Sequence, residues 1–466
     1  MKPESDRREL LARLLRERAA VRVAEHPLSY NQRSLWFTYC LAPESPAYNV
    51  PFAWRVQGGV DHAALRRAFE ALVARHAILR TTYSNREPVQ HVHAAQEIDF
   101  AVVDAAGWPE ERLQEAVYDE IHRPFDLQRG PVMRVRLYEQ GEWGDLLVVT
   151  FHHIAYDLWS ITTFVDELLS LYASAKRGEP SPLPPPACQY TDFIRWQSEM
   201  LAADGEQLWQ YWRERLSGAL PVLALPTDRP RPPVQTYAGA TFSQDVPTDT
   251  VAAVEELARR EQTTLFPVLL AAYQVFLSRV SGQRDLTVGS PMFGRSRPEF
   301  EPVIGYFLNT LPLRGAVDPA DSFSALVRET HRVVRGALEH QDYPLELMAE
   351  RLRPARSANR PALFQTMFVL NRPRRVEPAS HAGCDLSLEL LPLERDCAQF
   401  DVSLEIDQID GGLSARWEYN TDLFDEGTIE RWAAEFQQLL REVAVRPEDP
   451  LANAAGSGQG RRGGPV

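Results

Sequence analysis

The stretch from Leu146 to Lys176 constrains this chain more than any other. Leu146-Leu147-Val148-Val149-Thr150-Phe151 is too short a run for most helices, and its Val and Thr content predicts a buried strand. His152 and His153 close that run. Successive side chains on a strand point to opposite faces, so only one of the two imidazoles can look into a given cavity while the extended backbone lasts. His153 is assigned as the reactive one. Asp157 is placed to cap a helix from about Leu158 to Lys176, because Asp is a favoured N-cap and Ile161, Phe164, Val165, Leu168, Leu169 and Tyr172 recur at helical spacing. A base beside a helix N-terminus suits acyl transfer, since backbone N–H groups without intrahelical partners gather there and can face a developing oxyanion.

A chain of 466 residues, 44% apolar and 24% charged, has room for two or three domains with ordinary cores. There is no apolar run of the ~18 residues a membrane span needs, and the charged N-terminus has no signal-peptide core. Neither a membrane span nor secretion is expected, and the compartment expected is the cytoplasm. Cys40, Cys188, Cys384 and Cys397 lack the spacing of a metal site or a disulfide framework, so they are expected to be buried free thiols, with no metal bound. A net charge of −14 speaks against sequence-independent nucleic-acid binding, which depends on neutralising phosphates with Lys and Arg.

Residues 5–23 carry an apolar stripe of Leu10, Leu11, Leu14 and Leu15 flanked by Arg7, Arg8, Arg13, Arg16 and Arg18, which predicts a basic helix. Such a helix serves either as a docking or inter-domain element or as a solvated helix on its own domain. Asp61 caps a helix through His76, a further helix runs from Pro109 to before Pro124, and Pro131 to Glu139 is a strand. Gly141-Glu142-Trp143-Gly144 then turns that strand into the histidine strand as a hairpin. The proline-rich stretch from Gly178 to Pro186 marks a lobe boundary. Beyond it come a long helix from Tyr190, a strand near Thr241, helices near 248–260 and 264–281, and a strand from Asp285 to Met292. Arg446 to Val466 lacks a pattern and is expected to be a flexible tail.

His152-His153-Ile154-Ala155-Tyr156-Asp157-Leu158 resembles the His-His-x-x-x-Asp-Gly signature of the condensation domains of nonribosomal peptide synthetases, in the chloramphenicol acetyltransferase superfamily. Leu158 stands where that pattern has glycine. Further segments resemble the other family motifs in family order: Leu28 to Phe37, Arg75 to Tyr83, Tyr190 to Trp196, Ile304 to Arg314, His340 to Glu346 and, loosely, Arg356 to Pro361. Arg75, His76 and Arg80 are read as fixing geometry rather than performing chemistry.

The resemblance implies an α/β fold of two chloramphenicol acetyltransferase-like lobes in a V-shaped pseudo-dimer, with the active site in an interlobe tunnel. On that basis the chain divides into a basic N-terminal helix (1–25), an N-terminal lobe (26–180), a connector with a linking helix (181–235), a C-terminal lobe (236–446) and the tail (447–466). The implied reaction joins a donor acyl or peptidyl thioester to the amine of an acceptor aminoacyl thioester. The alternatives are a weak or silent platform recruiting carrier proteins, or an ester-forming acyltransferase. The implied partners are donor and acceptor carrier proteins and neighbouring synthetase domains, with no nucleic acid and no membrane. No cofactor is expected on the domain itself, the substrates riding on phosphopantetheine arms. The catalytic set is His153, His152 and Asp157. Asp157 is expected to pair with an arginine, which by resemblance is Arg295, with Arg314 as the alternative. Leu158, Trp159, Ser160 and Asn371 are assigned to the substrate passage, Asn371 as the weaker candidate, its simpler reading being a surface asparagine that ends a strand. Leucine at position 158 removes the backbone freedom of glycine and adds a side chain, so the expectation is retained activity with an altered passage.

Overall fold

The apolar run before the histidines is a strand, Asp145–His152, whose residues from Leu146 on are all buried. It is seen in a computed structural model that describes residues 23–84, 87–140, 144–354, 357–371, 384–393, 396–409 and 411–453. Residues 1–22 of the predicted leader helix, the turn residues 141–143, Arg356 of the loose seventh motif and the last thirteen residues of the tail lie outside these, while Ala24 and Glu25, expected to end that helix, begin a strand instead.

In chain order the described strands are β1 (Ala24–Pro27), β2 (Asn49–Gln57), β3 (Thr81–Tyr83), β4 (Val89–Val92), β5 (Asp99–Asp104), β6 (Met133–Glu139), β7 (Asp145–His152), β8 (Gly239–Val246), β9 (Asp285–Met292), β10 (Asn309–Ala316), β11 (Thr366–Asn371), β12 (Ser387–Leu391), β13 (Val402–Ile409) and β14 (Gly412–Asn420). The helices are α1 (Tyr30–Leu41), α2 (His62–Arg75), α3 (Glu110–His122), α4 (Ser160–Arg177), α5 (Tyr190–Arg215), α6 (Thr248–Arg260), α7 (Leu265–Ser281), α8 (Phe323–Glu339), α9 (Leu345–Leu352) and α10 (Glu426–Val445).

The chain forms two compact units. The first takes the described residues up to Ala203, then Phe293–Leu308 and the stretch ending at Leu393. Its main sheet has the order β12-β2-β7-β6-β5, antiparallel except for the parallel β5–β6 pair. A small antiparallel sheet, β1-β4-β3, belongs to the same unit. The core is made where β7 and β6 bury Val149, Phe151, Val135 and Leu137 with Phe69 and Leu72 of α2 and Phe164, Leu168 and Tyr172 of α4. Each such side chain contributes ~1.5–3 kcal/mol on burial. Two pieces assigned by sequence to the second half belong to this unit: β12 pairs along β2, and residues 293–308 are bound to the loop after β7.

The second unit holds a mixed sheet of order β10-β9-β11-β13-β14-β8, in which β11 runs parallel to both its neighbours. Helix α7 is buried along nearly its whole length, which explains its apolar sequence. No single described helix is long and apolar enough to cross a membrane. The tail departs from expectation over residues 447–453. Leu451 is buried, its N–H donates to the Asp321 carbonyl at 2.8 Å, and the Pro447 carbonyl accepts from the Ser324 N–H at 2.9 Å. One leucine with an apolar seat is enough to dock a segment whose composition reads as linker. None of the four cysteines is in a disulfide, but Cys40 is exposed and the others are half-buried rather than core thiols.

Candidate active site

At the end of β7 the two imidazoles part company. His152 stays in the strand, opposite Asn49 of β2, and is 5% exposed. Its ring meets Tyr39 and Phe125 edge-on, at 6.3 and 5.9 Å between centroids. Its Nδ1 accepts the Ile154 N–H at 3.1 Å, so the neutral ring carries its proton on Nε2. Burial, with the charges of His153 and Arg134 adding to it, pushes the His152 pKa down to about 3. His152 is thus a neutral core residue that caps the turn behind it.

His153 begins that turn, a single 3₁₀ turn over His153–Ala155, and is half-buried. Its backbone N–H donates to the Tyr48 carbonyl at 2.8 Å. Its Nδ1 lies 2.7 Å from the Tyr156 carbonyl, which can only accept. Nδ1 therefore carries the proton, and in the neutral ring Nε2 is the basic nitrogen. The carbonyl is itself held in place, because the buried Tyr156 ring stacks on Phe151 at 3.9 Å and 8°. The Tyr306 ring stands edge-on to His153, 4.9 Å away at 70°.

Asp157 does not touch the imidazole through any of these bonds. Its Oδ1 accepts from the Ser160 N–H at 3.0 Å, the Ser160 hydroxyl at 2.8 Å and Arg295 Nη2 at 3.0 Å. Its Oδ2 accepts from Arg295 Nη1 at 2.7 Å and the Phe307 N–H at 3.0 Å. Both side chains are out of solvent, at 1% and 2% exposure. Arg295 also donates to the Ser160 hydroxyl and the Val303 carbonyl, each at 3.0 Å, and lies over the Phe307 ring at 4.1 Å. Gly294 permits this approach: its φ is +63°, and a Cβ there would fall 1.9 Å from the Phe307 carbonyl oxygen.

Several expectations are corrected here. Arg314 is not an alternative partner for Asp157. It lies in the second unit and forms a bidentate pair with Asp285, at 2.9 and 2.7 Å. The helix starts at Ser160 rather than Leu158, so Asp157 caps it across a turn formed by Leu158 and Trp159. The Ser160 N–H is consequently committed to Asp157 and unavailable as an oxyanion donor. Leu158 and Trp159 point outward, at 51% and 38% exposure, with Trp159 resting on Phe293 at 4.7 Å. Asn371 lies in the second unit and donates to Asp407 at 2.9 Å. Arg75 and His76 both bind Glu167, at 2.9 and 2.6 Å, and Arg80 donates to the His93 carbonyl. Tyr306 and the Tyr156 carbonyl were not singled out from the sequence. A backbone carbonyl leaves no residue-specific signal, and the only pointer to Tyr306 was its place inside a motif.

This arrangement, a strand-end histidine with an oriented tautomer beside a buried Asp–Arg tie, meets a family profile described as a condensation domain, which matches residues 23–456. The chain belongs to the condensation-domain family. It is 41% identical over 436 residues to one of the linear gramicidin synthase proteins of Brevibacillus parabrevis, covering 91% of this chain and 6% of the relative. The chain spans less than a tenth of the length of the gramicidin synthase proteins it matches. Among solved structures, the X-domain in its complex with OxyB from teicoplanin biosynthesis is similar at TM-score 0.84 and 26% identity, over 94% of this chain and 97% of that one. The condensation domain from the monacolin K polyketide synthase MokA matches at TM-score 0.80 and 22% identity, over 92% and 100% of the two chains. The condensation domain described here therefore has the α/β fold of the chloramphenicol acetyltransferase superfamily.

Proposed function

We propose that this condensation domain forms an amide bond between a donor acyl or peptidyl thioester and the amine of an acceptor aminoacyl thioester, both held on phosphopantetheine arms of carrier proteins. It works in the cytoplasm beside the neighbouring domains of a nonribosomal peptide or hybrid polyketide line. One observation carries this reading: the His153 Nδ1 proton is committed to the Tyr156 carbonyl, which places the basic lone pair of the neutral ring on Nε2.

The acceptor amine attacks the thioester carbonyl carbon, an N–C bond forms, and the carbonyl electrons move onto oxygen. An α-amino group titrates near pH ~8, so free amine is present at neutral pH, and the harder step is loss of a proton from the zwitterionic intermediate. Nε2 of His153 takes that proton. The intermediate then collapses, the C–S bond breaks, and the leaving thiolate receives the proton back from the imidazolium. General-base action of this kind contributes ~10² to 10⁴-fold. Holding two tethered reactants in line reaches effective molarities of ~10⁵ M or more, so positioning supplies the larger part. Asp157 and Arg295 act by fixing the loop that bears His153 and the segment that bears Tyr306.

The test is a mass-spectrometric single-turnover assay over a panel of donor-loaded and acceptor-loaded carrier proteins, with His153→Ala beside the parent. A second reading, a silent platform that recruits partner proteins, draws support from the likeness to the teicoplanin X-domain seen in complex with OxyB. In that case no pair in the panel gives product, and His153→Ala loses nothing.

A further inference from the structure

The segment Leu28 to Phe37 resembles a family motif, yet none of its side chains enters the reaction derived above. It nonetheless buries three polar side chains at the start of α1: Ser29, Asn31 and Gln32, at 1%, 3% and 0% exposure. Buried polar groups are costly unless hydrogen-bonded, so where their bonds go shows what they hold. Part of the answer is local. The Ser29 hydroxyl accepts from the Gln32 N–H, and the Gln32 Oε1 accepts from the Ser29 N–H, both at 3.1 Å, which is a capping box.

The rest is not local. The Gln32 amide nitrogen donates to the carbonyl of Ile154, the residue after His153, at 3.0 Å. The Ser29 hydroxyl bonds the Tyr190 hydroxyl at 2.9 Å, and Tyr190 spends its own proton on the Tyr306 carbonyl at 2.6 Å. The Asn31 amide donates to the Leu308 carbonyl. One helix end thus fixes both the turn that carries His153 and the strip of chain whose Tyr306 ring meets that imidazole. A cap alone would be served equally well by glutamate at position 32. An ionised glutamate would accept from Ser29 but could not donate to Ile154, whereas the Gln32 amide does both.

We infer that Gln32 is a positioning residue for His153, holding the 3₁₀ turn through the Ile154 carbonyl so that Nδ1 keeps its bond to Tyr156 and Nε2 keeps its aim. The inference rests on the reading that His153 acts through Nε2, and its test is separable from that reading.

The experiment is imidazole NMR on the full chain labelled with ¹⁵N-histidine, His153 being assigned by the signal lost in His153→Gln. In the parent, His153 shows the Nδ1-protonated tautomer with a protected Nδ1 proton. Gln32→Glu keeps the cap acceptor and loses the donor, and is expected to mix the tautomers and speed Nδ1 proton exchange about five- to tenfold, as loss of one hydrogen bond implies. Gln32→Met, which is uncharged, is expected to do the same and serves if the glutamate variant does not fold. An unchanged His153 signal in a folded variant of either kind overturns the inference. A loosened signal with unchanged turnover over the carrier panel upholds it and overturns instead the use of Nε2 in the reaction.

Discussion

Asp157 and Arg295 meet as a bidentate pair, Nη1 to Oδ2 at 2.7 Å and Nη2 to Oδ1 at 3.0 Å, across 138 positions of sequence and with both side chains out of solvent. Removing one partner leaves a buried charge without its counter-ion, which costs about 3 to 5 kcal/mol. Asp157→Ala is therefore expected to lower the yield of soluble folded protein and the denaturation midpoint as well as turnover. Replacing both partners with apolar residues should cost less than the sum of the single changes. Normal stability with abolished turnover in Asp157→Ala would instead make the carboxylate a direct participant.

The neutral state of His152 makes a pH prediction whose sign is fixed. Its folded pKa of about 3 lies below the ordinary value of 6.5, so between these limits the unfolded chain binds the extra proton. The stabilisation is complete above pH ~6.5 and is lost as pH falls toward ~3, at a limiting slope of about 1.4 kcal/mol per pH unit for one proton. Denaturant midpoints measured from pH 7 to pH 5 should fall in the parent and fall less in His152→Gln. Equal slopes in the two proteins would contradict the assignment.

Gly294 is expected to resist substitution for reasons of space. Gly294→Ala places a methyl group against the Phe307 carbonyl oxygen in a left-handed backbone, and backbone strain of this kind costs on the order of 1–3 kcal/mol. The displaced group is Phe307, whose N–H donates to Asp157 and whose ring lies under Arg295, so the variant should reproduce, in milder form, the thermal destabilisation of Asp157→Ala.

Much of this was readable in advance where the signal is local. β7 and β9 fall where their apolar runs and β propensity put them, and α4 buries Phe164, Val165, Leu168, Leu169 and Tyr172 as their spacing requires. Strand alternation requires the two imidazoles to part, and they do, His152 being buried and His153 half-buried, but alternation does not say which of them reacts. What was not legible depends on contacts between distant residues. β12 reaches the edge of β2 from more than three hundred positions away, and residues 293–308 join the first unit through the Asp157–Arg295 pair, hydrogen bonds to Ser160, Tyr190 and Asn31, and the burial of Phe300, Val303, Ile304 and Phe307 in its core. The Ser29–Gln32 pair is a capping signature any reader can find, but the reach of Gln32 to Ile154, 122 positions on, has no trace in local sequence. The oxyanion donors expected at the start of this helix do not include the Ser160 N–H for the opposite reason, since the nearest acceptor, Asp157, takes that donor first.

Leu158, in the position where the family signature has glycine, projects outward with half its surface exposed, so its replacement removes little packing. Leu158→Gly should change stability by about 0.5 to 1 kcal/mol, chiefly through the added freedom of the unfolded chain. Single-turnover condensation by the parent should be measurable and within a few-fold of the variant's. An inert parent beside an active Leu158→Gly would show that leucine blocks the reaction.

The most direct measurement is the single-turnover yield of amide product from donor- and acceptor-loaded carrier proteins, comparing the parent with His153→Ala at matched folded concentration. The expected result is product from at least one carrier pair and a loss of ~10²-fold or more in the variant, the least that removal of a general base costs. Equal product from parent and variant, with the fold intact in both, would contradict the assignment of His153 as the group on which turnover depends.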